Sequence, residues 1–107
     1  MNQTTTGAWS GRLLGGRYEV REIIGRGGMA DVYLGIDARL GRQVAIKVLK
    51  STLSSDPTFR NRFRLEAMAA SKMSHPSIVR VFDAGDEENG PDGASPPGST
   101  TPYIVME

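Results

Sequence analysis

The sequence predicts a small α+β domain in which one helix interrupts a series of five strands. The strict alternation from Val32 to Ile36 is typical of a half-buried strand. Farther along, apolar residues recur at helical spacing directly after the start signal Asp56-Pro57. With 107 residues, the chain has room for a single domain.

The first segment, residues 1–16, is rich in Thr, Gly and Ser. Trp9 and the pair Leu13-Leu14 are its only large apolar groups after Met1. Because so little apolar surface can be buried there, we expect a flexible leader, with any docking confined to its far end.

The next segments have strand character. Tyr18 to Ile24 alternates roughly and Val32 to Ile36 alternates strictly, and the glycines between them form a turn, so this pair predicts a β-hairpin. A second turn spans Asp37 to Arg42. The β-branched run from Gln43 to Leu49 then predicts a third strand.

The helix begins with residues suited to a helix N-terminus. Asp56 can accept a hydrogen bond from an unpaired backbone N–H, and Pro57 lacks the N–H that would go unpaired at the first helical position. The helix is expected to run to about Met73 and to end at Ser74-His75-Pro76. Glu66 falls beside its apolar stripe, where a carboxylate needs a partner. The stripe consists of Phe59, Phe63, Ala67, Ala70 and Met73.

Two further strands are predicted, from Ile78 to Phe82 and from Tyr103 to Met106. The residues between them are mostly Gly, Pro, Ser, Asp and Glu and include almost no large apolar side chain. Such a segment cannot bury enough surface to offset its ordering entropy, so we expect a disordered hairpin loop at residues 84–102.

Charge and composition exclude several classes of function. The net charge of +1 gives no overall field for nucleic acid or an anionic membrane, and the absence of cysteine excludes disulfides and thiolate metal sites. No apolar run is long enough to span a bilayer, so we expect a cytoplasmic chain. A basic cluster on the helix fits a solvated face better than a docking site. It consists of Arg60, Arg62, Arg64 and Lys72.

A glycine-rich turn, Gly25-Arg26-Gly27-Gly28-Met29-Ala30, is the first candidate for binding chemistry. In a dinucleotide-binding unit such glycines open a helix, whereas here a strand follows, so the turn resembles a flap over a ligand. Glycine allows the backbone of a flap to approach phosphate oxygens closely. An ordinary glycine hairpin fits the turn equally well.

Lys47 and Glu66 are the second candidate. Lys47 lies on the same face of its strand as Ala45, whose small side chain leaves room for a flat ligand ring. An ammonium group there is directed at the phosphates of such a ligand. Glu66, on the following helix, supplies a charge that would hold the ammonium group in place. The alternative is a lysine at a strand end that reaches solvent.

Together these motifs resemble the N-terminal lobe of a bacterial eukaryotic-like (Hanks-type) serine/threonine protein kinase. The resemblance covers residues 17–107 and includes Gly-Arg-Gly-Gly-Met before a Val-Tyr strand, Val-Ala-Ile-Lys, and a His-Pro-x-Ile-Val turn. Ala30 stands where the general kinase pattern has its last glycine. The resemblance implies a five-stranded antiparallel sheet with one packed helix, ending at the hinge.

The resemblance also implies a role for each site residue. Lys47 would bind the α and β phosphates of ATP and Glu66 would hold Lys47, which makes these two the catalytic candidates. Met106 would be the gatekeeper and Glu107 the first hinge residue. The implied ATP contacts are Ile24, Gly25, Arg26, Gly27, Gly28, Met29, Ala30, Asp31, Val32, Ala45, Lys47, Met106 and Glu107.

The implied activity is transfer of phosphate from ATP to Ser or Thr of protein substrates. The sequence contains no His-Arg-Asp, Asp-Phe-Gly or Ala-Pro-Glu segment, so the catalytic base and the Mg²⁺ ligands are expected in a second lobe, and this chain alone is expected to be inactive. A second copy of the chain, bound through this lobe as a homodimer, is one further candidate partner. The sequence does not exclude a membrane anchor downstream of a complete kinase domain. The alternative function is a stand-alone, non-catalytic regulatory or dimerisation module.

Overall fold

The computed structural model describes residues 6–50, 52–72, 81–88 and 100–107. In these residues the chain forms a six-stranded antiparallel sheet and one helix, which confirms the predicted α+β class and adds one short strand. The sheet order is β1-β2-β3-β4-β6-β5. The elements are β1 Leu13–Leu14, β2 Tyr18–Arg26, β3 Ala30–Asp37, β4 Arg42–Leu49, α1 Pro57–Lys72, β5 Val81–Glu88 and β6 Thr100–Met106.

The sheet has two faces of different character. Side chains alternate along a strand, so β4 presents Val44, Ile46 and Val48 to one face and Ala45 and Lys47 to the other. The first face carries the larger core, which consists of Trp9, Leu14, Tyr18, Val20, Tyr33, Val44, Ile46, Val48, Tyr103 and Val105. On the second face a smaller core forms beneath α1 from Ala30, Leu49, Phe63 and Ile104. The helix therefore covers only part of the face that carries Lys47.

The segment before β2 packs on the first face, so the predicted flexibility is wrong around Trp9, whereas packing at Leu14 agrees with the docking allowed for the far end of the leader. Trp9 is only 7% exposed and Leu14 only 1%. The Arg12 guanidinium stacks 3.9 Å from the centre of the Trp9 ring. Backbone bonds from Gly11 N to the Val20 carbonyl and from Val20 N to the Arg12 carbonyl, both 2.8 Å, tie the segment to β2. The indole, the leucine and these bonds thus anchor the polar segment on the sheet.

The start of α1 confirms the predicted helix cap. The backbone N–H of Thr58 donates to Asp56 Oδ1 at 2.9 Å, and the N–H of Arg60 donates to the Asp56 carbonyl at 3.1 Å. Phe63 is 1% exposed and anchors the helix on the second core. The predicted helix end and the predicted strand start at Ile78 lie outside the described residues.

The β5–β6 hairpin is longer than the sequence predicts. Register pairs continue outward through Asp86↔Pro102 to Glu88↔Thr100, so the loop predicted for residues 84–102 is wrong at both ends. Residues 89–99 lie outside the description. The error has a physical cause, because β5 is an edge strand that is held by backbone pairing and needs few apolar side chains.

The two edges of the sheet meet. Arg12 Nη2 on the N-terminal side donates to the Glu88 carbonyl, and the Gly15 N–H donates to Glu87 Oε1, both at 2.8 Å. The Tyr18 hydroxyl donates to Asp83 Oδ2, also at 2.8 Å. Burial, together with this hydrogen bond, raises the pKa of Tyr18 to about 12. The sheet thus curls until Arg12 and Gly15, the residues on either side of β1, are hydrogen-bonded to β5.

Candidate functional site

The strand register brings four of the predicted site residues onto one face. Val32, Lys47 and Ile104 lie in one cross-strand row, and Ala45 faces Met106 in the next row. Residues paired across an antiparallel sheet project to the same side. Ala45 therefore leaves a low point in the sheet surface between Met106 and the lysine row.

Lys47 and Glu66 form an ion pair at this face. Lys47 Nζ lies 3.6 Å from Glu66 Oε2, with the two side chains 31% and 52% exposed. Strand β4 fixes the lysine, and α1 supplies the glutamate one turn after the buried Phe63. Exposed pairs of this kind are worth about 0 to 1 kcal/mol. The arrangement places a cation at the open side of the sheet and a carboxylate that restrains it.

The glycine-rich turn joins β2 to β3 and is tight at one residue and open at the next. The Gly27 N–H donates to the Ala30 carbonyl at 2.9 Å, and a Cβ added at Gly27 would lie 2.9 Å from that same oxygen. A Cβ added at Gly28 would meet no atom within 4 Å. Ile24, at the start of the turn, is 56% exposed. Met29 instead packs against the smaller core.

Arg26 and Asp31 do not share the face of Lys47. Asp31 pairs with Val48, whose side chain belongs to the larger core, so the Asp31 side chain projects to that side. Both residues line a cavity of about 310 Å³ together with Trp9 and Tyr33. Contact of these two residues with ATP therefore stays a prediction, which rests on their backbone groups at the turn rather than on their side chains.

The hinge end of the site lies at the last residues of the chain. Met106 is half-buried, pairs with Ala45 and also contacts the smaller core beneath α1. Glu107 follows and is exposed. The two positions assigned to the gatekeeper and the hinge thus lie at the edge of the open face.

Sequence reasoning missed a second set of charges, on the far side of α1. Arg60 Nη2 lies 3.0 Å from Asp86 Oδ1, and Arg64 Nη2 lies 2.8 Å from Asp86 Oδ2. The interpretation of a solvated arginine face is wrong for Arg60, whose side chain is 20% exposed, whereas Arg64 forms its ion pair while remaining 52% exposed. The available signal was the i, i+4 spacing of Arg60 and Arg64, which puts both on one side of the helix.

The described residues contain neither a metal-binding cluster nor a membrane-spanning helix. No group of three or more His, Cys, Asp or Glu side chains in this part of the chain could hold a metal ion. In the same residues, no helix combines the length and the apolar character needed to cross a membrane.

Comparison with known families gives one match that covers most of the chain. The family described as the protein kinase domain matches residues 18–107. The serine/threonine-protein kinase PksC of Streptomyces coelicolor is 50% identical over 102 residues, which is 94% of this chain and 17% of that protein. The serine/threonine-protein kinase PknB of Mycobacterium tuberculosis is 49% identical over 94 residues, or 88% of this chain and 14% of its own length. The chain thus spans less than a fifth of these curated relatives.

Solved structures show the same likeness. The apo form of PpkA-294 superposes with a TM-score of 0.70 at 28% identity and covers 96% of this chain and 39% of that one. The kinase domain of Mycobacterium tuberculosis PknI gives a TM-score of 0.64 at 30% identity, with 92% and 35% covered. In both, the chain corresponds to a little over a third of the solved structure.

Proposed function

Because the chain belongs to the protein kinase domain family, we propose that it is the ATP-binding N-terminal lobe of a cytoplasmic serine/threonine protein kinase. The observation that carries this proposal is the Lys47–Glu66 pair, with 3.6 Å between Nζ and Oε2, on the face where Ala45 leaves room beside it. A cation held at the edge of an apolar platform suits a ligand that joins a flat ring to a polyanion.

In this proposal each part of the open face has a task. Lys47 binds the α and β phosphates, and Glu66 keeps its ammonium group directed at them. The side chains of Ile24, Val32 and Ala45 contact the adenine ring, with Met106 at the back. The open space at Gly28 suits the approach of phosphate oxygens to the backbone of the turn.

The complete enzyme would use this lobe for positioning. Phosphoryl transfer depends mostly on orientation and on neutralising the charge of the transferred group, to which Mg²⁺ contributes when bound. The base and the Mg²⁺ ligands belong to a second lobe, since the sequence has no His-Arg-Asp or Asp-Phe-Gly segment. Protein substrates carrying Ser or Thr would also meet that second lobe.

Binding of a fluorescent ATP analogue to the 107-residue chain tests the nucleotide site. Lys47→Met should weaken binding about tenfold or more, because a charge-assisted contact worth about 1.5 to 3 kcal/mol is lost. Lys50→Met is the matched control. Lys50 follows the same strand but lies 4.0 Å from Asp31 of the other face, so its loss should leave affinity unchanged. Equal effects of the two substitutions would contradict the assignment of Lys47.

A phosphotransfer assay separates the lobe from the enzyme. With Mg²⁺ and radiolabelled ATP, the chain alone should label neither itself nor a generic basic protein above the level of Lys47→Met. Labelling above that level would contradict the assignment of the catalytic base to another lobe. A folded chain that binds no nucleotide at all would instead favour the non-catalytic regulatory or dimerisation module.

A further inference from the structure

The Lys47–Glu66 pair is too weak to determine where α1 lies. Its side chains are 31% and 52% exposed, so water screens their attraction. A position of Glu66 within reach of Lys47 must therefore be fixed by other contacts of the helix.

Apolar packing supplies only part of that anchoring. Among the helix residues whose side chains are described, Phe63 is buried and Phe59 is half-buried. A cleft of about 270 Å³ lies where α1 meets β5 and β6, bordered by Phe63, Arg64 and Tyr103. This open cleft means that close packing holds the helix over only part of the seam.

Polar contacts bridge the same seam. Arg60 Nη1 donates to the carbonyls of Ser54 and Thr100, both at 2.8 Å. Its Nη2 donates to Asp86 Oδ1 at 3.0 Å and to Thr100 Oγ1 at 3.2 Å. Arg64 Nη2 donates to the other Asp86 oxygen at 2.8 Å. These contacts of Arg60 and Arg64 with Asp86 and Thr100 are called the arginine clamp below.

The clamp has the geometry of a positioning device. Arg60 is only 20% exposed, and its planar group makes four hydrogen bonds in fixed directions, which restrains the helix against rotation and sliding. Glu66 lies six residues later on the same helix, about 9 Å along the axis. A helix transmits a displacement at one turn to the next because its hydrogen-bonded backbone is stiff.

We propose that Arg60 and Asp86 are positioning residues that hold Glu66 within reach of Lys47. The proposal rests on the proposed function, since it gives the Lys47–Glu66 pair its purpose. It also assigns a role to β5 and to the start of β6, which contain none of the predicted ATP contacts. The clamp would act on ATP only through the ion pair.

NMR of the Glu66 carboxylate tests the clamp without nucleotide. The ¹³C carboxylate resonance of Glu66 is identified by its absence from the spectrum of Glu66→Gln. The change in its chemical shift on Lys47→Met substitution, called its response to Lys47→Met, reports whether the ion pair is formed. This response should be lost or greatly reduced in Arg60→Gln. It should persist in Arg62→Gln, an exposed neighbour for which the described structure records no ion pair. An undiminished response in Arg60→Gln would overturn the proposal.

Asp86→Asn provides the second variant. It keeps the two carbonyl contacts of Arg60 and removes only the charge between the arginines, so it should fold even if Arg60→Gln does not. The response of the Glu66 resonance to Lys47→Met should also be smaller in Asp86→Asn than in the unsubstituted chain. A folded Asp86→Asn chain with an unchanged response would count against the clamp.

Affinity for the ATP analogue gives a readout that a merely structural role would not reproduce. Arg60→Gln should weaken binding by up to about fivefold, the limit set by an exposed ion pair. In a Glu66→Gln background the same substitution should have no further effect. Equal losses in both backgrounds would show that Arg60 acts by another route. If no variant binds nucleotide, the proposed function fails, while the NMR result still decides the clamp.

Discussion

Asp37 illustrates how a single carboxylate can organise a turn. Arg17 donates to it twice, from Nε to Oδ1 at 2.9 Å and from Nη2 to Oδ2 at 2.8 Å. The backbone N–H of Arg39 adds a third bond at 3.0 Å. Asp37 is fully buried in the sheet, and the hydrogen bonds from Arg17 lower its pKa to about 2.

This lowered pKa predicts acid sensitivity. The usual value is 3.8, so the stabilising contribution of Asp37 is complete above that pH and is lost as pH falls through about 2. Asp37→Asn should lower stability at neutral pH and flatten the dependence of unfolding free energy on pH below 4. Urea unfolding from pH 7 to pH 2 measures both. Glu19→Gln, at an exposed pair with Arg21, should leave the acid dependence in place.

Two glycines should respond differently to alanine. A Cβ at Gly35 would run into the Ile46 side chain and lie 3.2 Å from the Glu19 carbonyl oxygen, so Gly35→Ala should cost about 1 to 3 kcal/mol. Gly28→Ala meets no atom and should change stability by no more than about 0.5 kcal/mol. It should nevertheless weaken binding of the ATP analogue. Urea unfolding and the binding assay on both variants test these expectations. A larger loss of stability in Gly28→Ala than in Gly35→Ala would contradict them.

Part of the site could be predicted residue by residue because strand alternation is rigid. The spacing that places Ala45 beside Lys47 on one face holds in the structure. The same alternation places the side chain of Asp31 on the face opposite to that of Val32, so the sequence already indicates that this side chain projects away from the Lys47 face. Which residues a helix contacts across space, such as Asp86 with Arg60, depends on tertiary packing that no local pattern encodes.

At the scale of elements, the N-terminal segment should contribute much of the stability. Trp9→Ala removes a nearly buried indole from the larger core and should cost about 3 kcal/mol or more. Leu13→Ala, at a residue 51% exposed, should cost well under about 1 kcal/mol. Urea unfolding monitored by circular dichroism measures both losses of stability. Similar losses for the two variants would mean that the packing of the segment does not depend on the indole.

The β5–β6 hairpin should tolerate a much shorter connection. Glu88 and Thr100 face each other in register, so replacing residues 89–99 with Asn-Gly supplies a turn suited to the pair. Loop closure entropy then favours the variant by about 1.5 kcal/mol. Thermal unfolding of the two proteins tests this. A lower melting temperature, or loss of the fold, would show that residues 89–99 contribute contacts of their own.

Elements that carry their own local signal were the ones that could be predicted. Asp56 and Pro57 specify the start of α1 by capping chemistry. The outer halves of β5 and β6 could not be recognised, because their pairing uses backbone groups and their side chains are largely polar. Burial of Trp9 likewise depends on strands that lie far from it in sequence.

At the scale of the whole molecule, the two faces of the sheet separate stability from function. The larger core is closed by the chain's own N-terminal segment, whereas the Lys47 face is only partly covered by α1. The sequence predicted the strands but not that the N-terminal segment covers the larger core. Alternation indicates which face of a strand is buried but not which part of the chain packs on that face. The substitutions proposed for Trp9 and Lys47 should therefore affect stability and binding separately.

The meeting of β1 with β5 also governs how the protein can form on the ribosome. Arg12 and Gly15 emerge early, but their partners Glu88 and Glu87 are made 76 and 72 residues later. At about 5 to 20 residues per second, that interval lasts roughly 4 to 15 s. Tyr103 and Val105, which complete the larger core, appear later still. Throughout this time the nascent chain carries an open strand edge and an uncovered apolar face, which leaves it prone to aggregation until Tyr103 and Val105 have emerged.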